Sequence, residues 1–269
     1  MDKIVIVKGG GDIATGIAHR LHTSHFAVVI LEIANPTAVR RTVSFAQAVI
    51  QNAPVTVEAV TAELATLAAV PEKLAAGRIP VLLASEPQEV QQVIATLKPV
   101  AIVDAILAKR NTGTRITDAP VVIGAGPGFT AGEDVHAVVE TMRGHDLGRV
   151  IYHGTAIANT GIPGEVGGFT IERLVRSPAD GVFVACREIG DTVAAGDIVG
   201  HVGDTAVKVN IAGILRGLLQ SQLTVTRKMK IGDVDPRCCP EHCFTISDKA
   251  RAVGGGVLEA LLHLRGNHG

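Results

Sequence analysis

The residues best suited to chemistry lie in two glycine-rich segments, each following a short apolar run. Gly9-Gly10-Gly11-Asp12-Ile13-Ala14 comes directly after Ile4–Val7 and opens a helical pattern. It fits G-x-G-x-x-A, where the glycines allow a tight turn and close approach and the alanine lets helix pack on strand. Glu32 ends the next apolar run, eighteen residues beyond Ala14, where an acid can bind ribose hydroxyls. A helix starting here would offer free backbone N–H groups and a positive dipole end to an anion. Asp12 would repel a pyrophosphate, so a Rossmann-like turn without a nucleotide is the alternative. The second segment, Gly124-Ala125-Gly126-Pro127-Gly128-Phe129-Thr130-Ala131-Gly132, follows Val121–Ile123 and precedes a helix expected to start near Asp134. Gly124, Gly126, Gly128 and Thr130 would cradle a phosphate or oxyanion, or the glycines only supply permissive backbone angles.

Other groups carry weaker signals. Asp104 ends the run Ala101–Val103, with Lys109 and Arg110 close behind; an acid and two cations there could grip a phosphorylated ligand, or form a solvated loop. Arg40 and Arg41 could bind a phosphate near Glu32, or be ordinary surface charges. His136, His145 and His153 share no zinc-enzyme spacing. Cys238, Cys239, His242 and Cys243 could in principle form a zinc tetrahedron, but adjacent cysteines rarely reach one metal and Pro240 stiffens the turn. No metal is expected, at least one of the three thiols should be exposed, and a role for them in carrying sulfur or selenium stays open. There is no G-x-S-x-G elbow and no G-x-x-x-x-G-K-[ST] loop, so no catalytic residue is assigned.

These residues need a scaffold. The first half of the 269 residues alternates apolar β-like runs (Ile4–Val7, Ala27–Leu31, Val81–Leu83, Ala101–Val103, Val121–Ile123) with helical patterns at Ile13–Leu21, Glu63–Leu74, Gln88–Leu97 and Val135–Met142. That alternation predicts an α/β fold: a Rossmann-like parallel sheet with helices on both faces, both glycine loops facing one crevice at the strands' carboxyl ends. From about residue 145 the texture turns β-rich. Ala179-Asp180-Gly181-Val182 is echoed by Ile211-Ala212-Gly213-Ile214, and Val193 and Val225 each lie twelve residues after the shared glycine. Two such halves resemble the barrel-sandwich hybrid of biotinyl and lipoyl domains. The expected domains are 1–145, Rossmann-like; 146–240, barrel-sandwich-like; and 241–269, a helical segment packing back. Neither Lys208 nor Lys228, in Lys228-Met229-Lys230, is expected to carry biotin or lipoate.

Composition narrows the function. Lys+Arg 25 against Asp+Glu 26 leaves a net charge of -1, and only six Phe and one Tyr are present without Trp. Nucleic-acid binding has neither the basic footprint nor the stacking platform it needs. The mean hydropathy of +0.34 is spread along the chain without an apolar run of membrane-spanning length. After Met1-Asp2-Lys3 the run Ile4–Val7 is too short for a signal peptide. A cytoplasmic protein, free or as a homo-oligomer, is expected.

Three stretches carry a family likeness: Val5-Ile6-Val7-Lys8-Gly9-Gly10-Gly11-Asp12-Ile13-Ala14-Thr15-Gly16; Gly126–Gly132 through Asp134-Val135-His136 to Arg143-Gly144-His145; and Lys230–Arg237 with Phe244–Arg251. Together they resemble the YqeB family, accessory proteins of selenium-dependent molybdenum hydroxylase systems, and more distantly the XdhC-type chaperones. The resemblance implies a partner molybdenum hydroxylase and a role in its maturation or supply. The implied ligand is anionic, a nucleotide or the pyranopterin phosphate of a molybdenum cofactor. The competing expectations are an NAD(P)-dependent oxidoreductase and a non-catalytic scaffold.

Overall fold

A computed structural model describes residues 4–266; residues 1–3 and 267–269, within the expected first and last segments, lie outside it. The chain forms two compact units: residues 1–36, 45–159 and 246–269, and residues 37–44 with 160–245. The change of unit falls at 159/160 and 245/246, where the sequence suggested 145 and 240, and residues 37–44 leave the first unit for the second.

In the first unit the strands are β1 (Ile4–Lys8), β2 (Ala27–Glu32), β3 (Val55–Val57), β4 (Val60–Leu64), β5 (Ile79–Leu83), β6 (Ala101–Asp104), β7 (Val121–Ala125), β8 (Thr130–Ala131), β9 (Ala137–Val139), β10 (Val150–Ile151) and β11 (Gly154–Thr155). Its helices are α1 (Asp12–Thr23), α2 (Gln47–Gln51), α3 (Val70–Ala75), α4 (Pro87–Leu97) and α5 (Asp248–Gly266). Nine strands make one sheet in the order β10-β9-β7-β6-β1-β2-β5-β4-β3. Its inner pairings are parallel and both edges antiparallel. β1 reads Ile-Val-Ile-Val and is buried at every position, as a strand covered on both faces must be. Ile4, Ile6, Val29, Leu31, Leu82 and Ile102 form one core layer with Val70 of α3 and Val93 of α4.

Two expected helices are corrected. Glu63–Leu74 is instead β4, a 3-10 turn at Leu67–Ala69, and α3. Pro71 sits at the start of α3 and cannot be carried inside a longer helix. Glu63 stays in the sheet, its carboxylate held by Lys73 at 3.0 Å and Arg78 at 2.6 Å. Val135–Met142 holds no helix but contains β9, paired in parallel with β7. Ala137, Val138 and Val139 are all fully buried, an environment that suits β-branched residues in a strand. Asp134 does not start a helix; its carboxylate accepts the Thr130 N–H at 2.8 Å.

α5 packs on α1 through small residues. A Cβ on Gly16 would lie 2.7 Å from Ala250 Cβ, and one on Gly254 would lie 2.9 Å from the Gly16 carbonyl oxygen. Among the described residues no helix is long and apolar enough to cross a membrane.

The second unit holds β12 (Leu174–Arg176), β13 (Gly181–Ala185), β14 (Thr192–Val193), β15 (Ile198–Val202), β16 (Thr205–Lys208), β17 (Gly213–Leu218), β18 (Thr224–Val225) and β19 (Lys230–Asp235). They form two antiparallel sheets, β12-β19-β17-β14 and β16-β15-β13-β18. The repeat read from sequence is a reciprocal exchange between halves. Gly181 pairs with Val225, and Gly213 with Val193. Phe183 N–H donates to Leu223 O as Leu215 N–H does to Asp191 O, and Gln222 N–H donates to Phe183 O as Gly190 N–H does to Leu215 O. Lys208 ends β16 opposite Ile198, while Gly203-Asp204 makes the β15–β16 turn; Lys228 lies in a turn closed by Met229 N–H to Thr226 O.

Asp235 anchors this unit. Its carboxylate takes Arg237 at 2.9 and 2.6 Å and lies 3.6 Å from Arg216. Burial alone would raise its pKa, but Arg237 and then Arg216 outweigh it and bring it from 3.8 to about 2. A depressed folded-state pKa means the stabilisation exists above the unfolded value and is lost as pH falls through the folded one. The second unit should therefore lose stability between pH 3.8 and about 2, and Asp235→Asn should flatten that dependence. Thermal melts across this range check it; an unchanged slope in the variant contradicts it.

Candidate functional site

The register brings β2, β1 and β6 side by side, with Lys8 aligned to Leu31 on one side and Asp104 on the other. At this edge β1 ends in the first glycine turn. Gly9 has φ +93 and packs so closely that a Cβ would lie 3.1 Å from Ala105 O; a Cβ on Gly10 would lie 2.8 Å from Ala46 N. Gly11 faces open space and is the N-cap of α1, with Asp12 in the first turn and no side-chain cap bond. Ala14 is buried. The sequence motif thus becomes a turn with two glycines spent on packing and one facing solvent, beside backbone N–H groups at a helix start.

Glu32 is drawn into this turn. One carboxylate oxygen accepts the Gly10 N–H at 2.7 Å, and the other accepts the Ile33 N–H at 2.8 Å. Burial raises its pKa, opposed by these two amide bonds. An arriving anion therefore meets a carboxylate already on one of the turn's N–H groups. Glu32→Gln should tighten inorganic pyrophosphate binding about tenfold, or about 1.4 kcal/mol. Calorimetry reads this directly, and equal or weaker binding contradicts it. Wild-type affinity should also rise as pH falls and Glu32 takes its proton.

Asp104 is turned inward. It is 1% exposed, accepts the Thr114 hydroxyl at 2.6 Å and the Ile106 N–H at 3.2 Å, and lies 3.3 Å from the Lys8 ammonium. Lys8 also donates to the Thr114 hydroxyl. Lys109 and Arg110, offered by the sequence as partners of Asp104 in gripping a phosphorylated ligand or as a solvated loop, lie exposed on the following loop, while Asp104 pairs with Lys8. Lys8 was legible as a cation ending an apolar strand before glycines; Thr114 gave no signal.

The second glycine segment is mostly packing. A Cβ on Gly124 would lie 2.5 Å from Phe129, on Gly126 2.5 Å from the Thr141 hydroxyl, and on Gly128 2.6 Å from the Arg110 backbone. Thr130 starts β8, and its carbonyl accepts the Asp134 N–H. Beside it, Glu140 accepts the Thr141 and Met142 N–H groups at 2.7 Å and the Ile157 N–H at 2.7 Å. The sequence reading missed Glu140 because it lay inside the expected helix.

In the second unit Arg40 donates to the His242 and Thr245 carbonyls, and Arg41 to Leu218 O. His136 Nδ1 accepts the Val122 N–H at 3.0 Å. Cys186 and Cys238 are exposed, Cys239 is half-buried and Cys243 buried. Among the described residues no group of three or more His, Cys, Asp or Glu is placed to hold a metal.

This geometry defines a mixed α/β protein in which the first glycine turn, Glu32 and the Lys8–Asp104 pair come together where β1 lies between β2 and β6. Over 263 residues, 97% of this chain, it is 49% identical to the Uncharacterized protein YqeB of Escherichia coli strain K12, and so is its homologue. The chain spans about half the length of that curated relative, 48%. No family model matches the sequence. Among solved structures it is similar to an aspartoacylase family protein from Mesorhizobium loti (11% identity, 86% of this chain and 84% of that one, TM-score 0.26). Another is a succinylglutamate desuccinylase/aspartoacylase from Rhodobacter sphaeroides (20%, 32% and 29%, TM-score 0.21).

Proposed function

We propose that this chain is a YqeB-family accessory protein that matures or supplies a selenium-dependent molybdenum hydroxylase in the cytoplasm. We read the first unit as Rossmann-like and the second as a barrel-sandwich hybrid without biotin or lipoate. The ligand is a nucleotide or a phosphorylated cofactor such as a pyranopterin phosphate. The observation that carries the ligand reading is the open Gly11 position at the start of α1, beside Glu32 at the end of the neighbouring strand. The three motif stretches supply the partner. In this account the α1 amides hold the phosphate, Glu32 faces the ligand's hydroxyl or amide donors, and the Lys8–Asp104–Thr114 cluster fixes the turn from below.

Deleting the gene should abolish a molybdenum hydroxylase activity while leaving the amount of that enzyme unchanged; undiminished activity contradicts the role. The second reading, an NAD(P)-dependent oxidoreductase, is favoured by the G-x-G-x-x-A turn with Glu32. It requires NAD or NADP at 100 times the dissociation constant to add about 2.7 kcal/mol of stability; a thermal shift decides it.

A further inference from the structure

One cavity in the first unit shares no residue with the glycine turns, Glu32 or the Lys8–Asp104 pair. It measures about 450 Å³ and is lined by Leu64, Leu67, Leu82, Leu83 and Val93, with Thr66 the polar side chain among its walls. That size and apolar character suit a small-molecule site. It opens at the same carboxyl edge of the sheet as the first glycine turn, one strand beyond Glu32. Leu83 is the register partner of Glu32, and the Ala84 N–H donates to Glu32 O at 3.0 Å. Leu83, 47% exposed, lines the cavity one strand away from Glu32, and Ile33, 44% exposed, follows Glu32 at the same sheet edge.

We propose that this cavity takes the ring of the crevice ligand, which is a planar heteroaromatic ring carrying a phosphate ester. The inference rests on the reading of the crevice as an anion site and adds where the uncharged part goes. The end of β5 lies two strand spacings from the end of β1, about 10 Å, a span that a sugar-length linker covers. A ring laid across Ile33 and Leu83 removes two aliphatic side chains from water. The Thr66 hydroxyl remains as the group that can orient a ring nitrogen or carbonyl.

The test measures binding of inorganic phosphate, AMP and a pterin monophosphate to the full chain by calorimetry. At least one ring phosphate should bind ten times or more tighter than inorganic phosphate, and whichever is tighter identifies the source of the ring. Leu83→Asp places a charge on the rim, and Thr66→Trp, at an exposed position, fills the cavity. Each should reduce ring-phosphate affinity to near that of phosphate without changing phosphate affinity, and the second guards against misfolding of the first. Ring phosphates no tighter than phosphate, or variants that bind them like wild type, overturn the cavity assignment alone. Absence of any phosphate or ring-phosphate binding removes the crevice reading with it.

Discussion

Gly256→Ala should cost about 3 kcal/mol of stability, at the upper end for overpacking, and lower the melting temperature by roughly 10 °C. Gly256 lies inside α5, where a Cβ would come within 2.1 Å of Gly148 O and 2.8 Å of Val139 Cγ1. Neither neighbour can retreat cheaply. The oxygen belongs to backbone, and Gly148, at φ +84, is itself so close to α5 that its own Cβ would meet Ala252 O at 2.6 Å. Val139 is a fully buried residue of β9. The adjacent Gly255 is the control, because nothing lies within 4 Å of its Cβ position. Gly255→Ala should be neutral or gain about 0.5–1 kcal/mol from the lower entropy of its unfolded chain. Thermal melts of the two variants check the pair, and equal stability of both would show that α5 does not pack as described.

Asp104→Ala should cost about 3–5 kcal/mol, the range for removing one partner of a buried ion pair. It strands the Lys8 ammonium, which is 8% exposed, and deprives the Thr114 hydroxyl of its acceptor. Replacing Lys8 by Met and Asp104 by Leu together should recover most of that loss, since the desolvation penalty of both charges disappears. Denaturant melts of the single and double variants decide it; a single variant within 1 kcal/mol of wild type would mean the pair is solvated.

The legible parts of the fold were those with redundant local signals. Ile4–Val7, Ala27–Leu31 and Val121–Ile123 are uninterrupted aliphatic runs each followed by a charge or glycine, and each lies in an inner strand of the sheet. The β-rich repeat was legible because Val193 and Val225 each stand twelve residues after Gly181 and Gly213, and the two glycines hold corresponding positions at φ +147 and +157. Val135–Met142 misled because valines at 135, 138, 139 and Met142 fit a helical period as well as a buried strand, and only packing on β7 decides between them. At the site, Glu32 and the first glycine turn were readable from their order along the chain. Thr114 was not, because a loop threonine meets Lys8 and Asp104 only through tertiary structure. The second glycine segment was readable as a loop, but its glycines answer to Phe129, Thr141 and Arg110, contacts that spacing cannot show.

If the turn between β2, β1 and β6 holds a phosphorylated ring compound, as proposed, that compound should stay with the chain through purification. The most direct measurement is to purify the native chain, denature it, and quantify the nucleotide and pterin released. Close to one phosphorylated nucleotide or pterin per chain is expected, lost in a Gly11→Trp variant that blocks the open position at the start of α1. A chain that releases neither compound, and whose melting temperature does not rise with added AMP or pterin monophosphate, would contradict it.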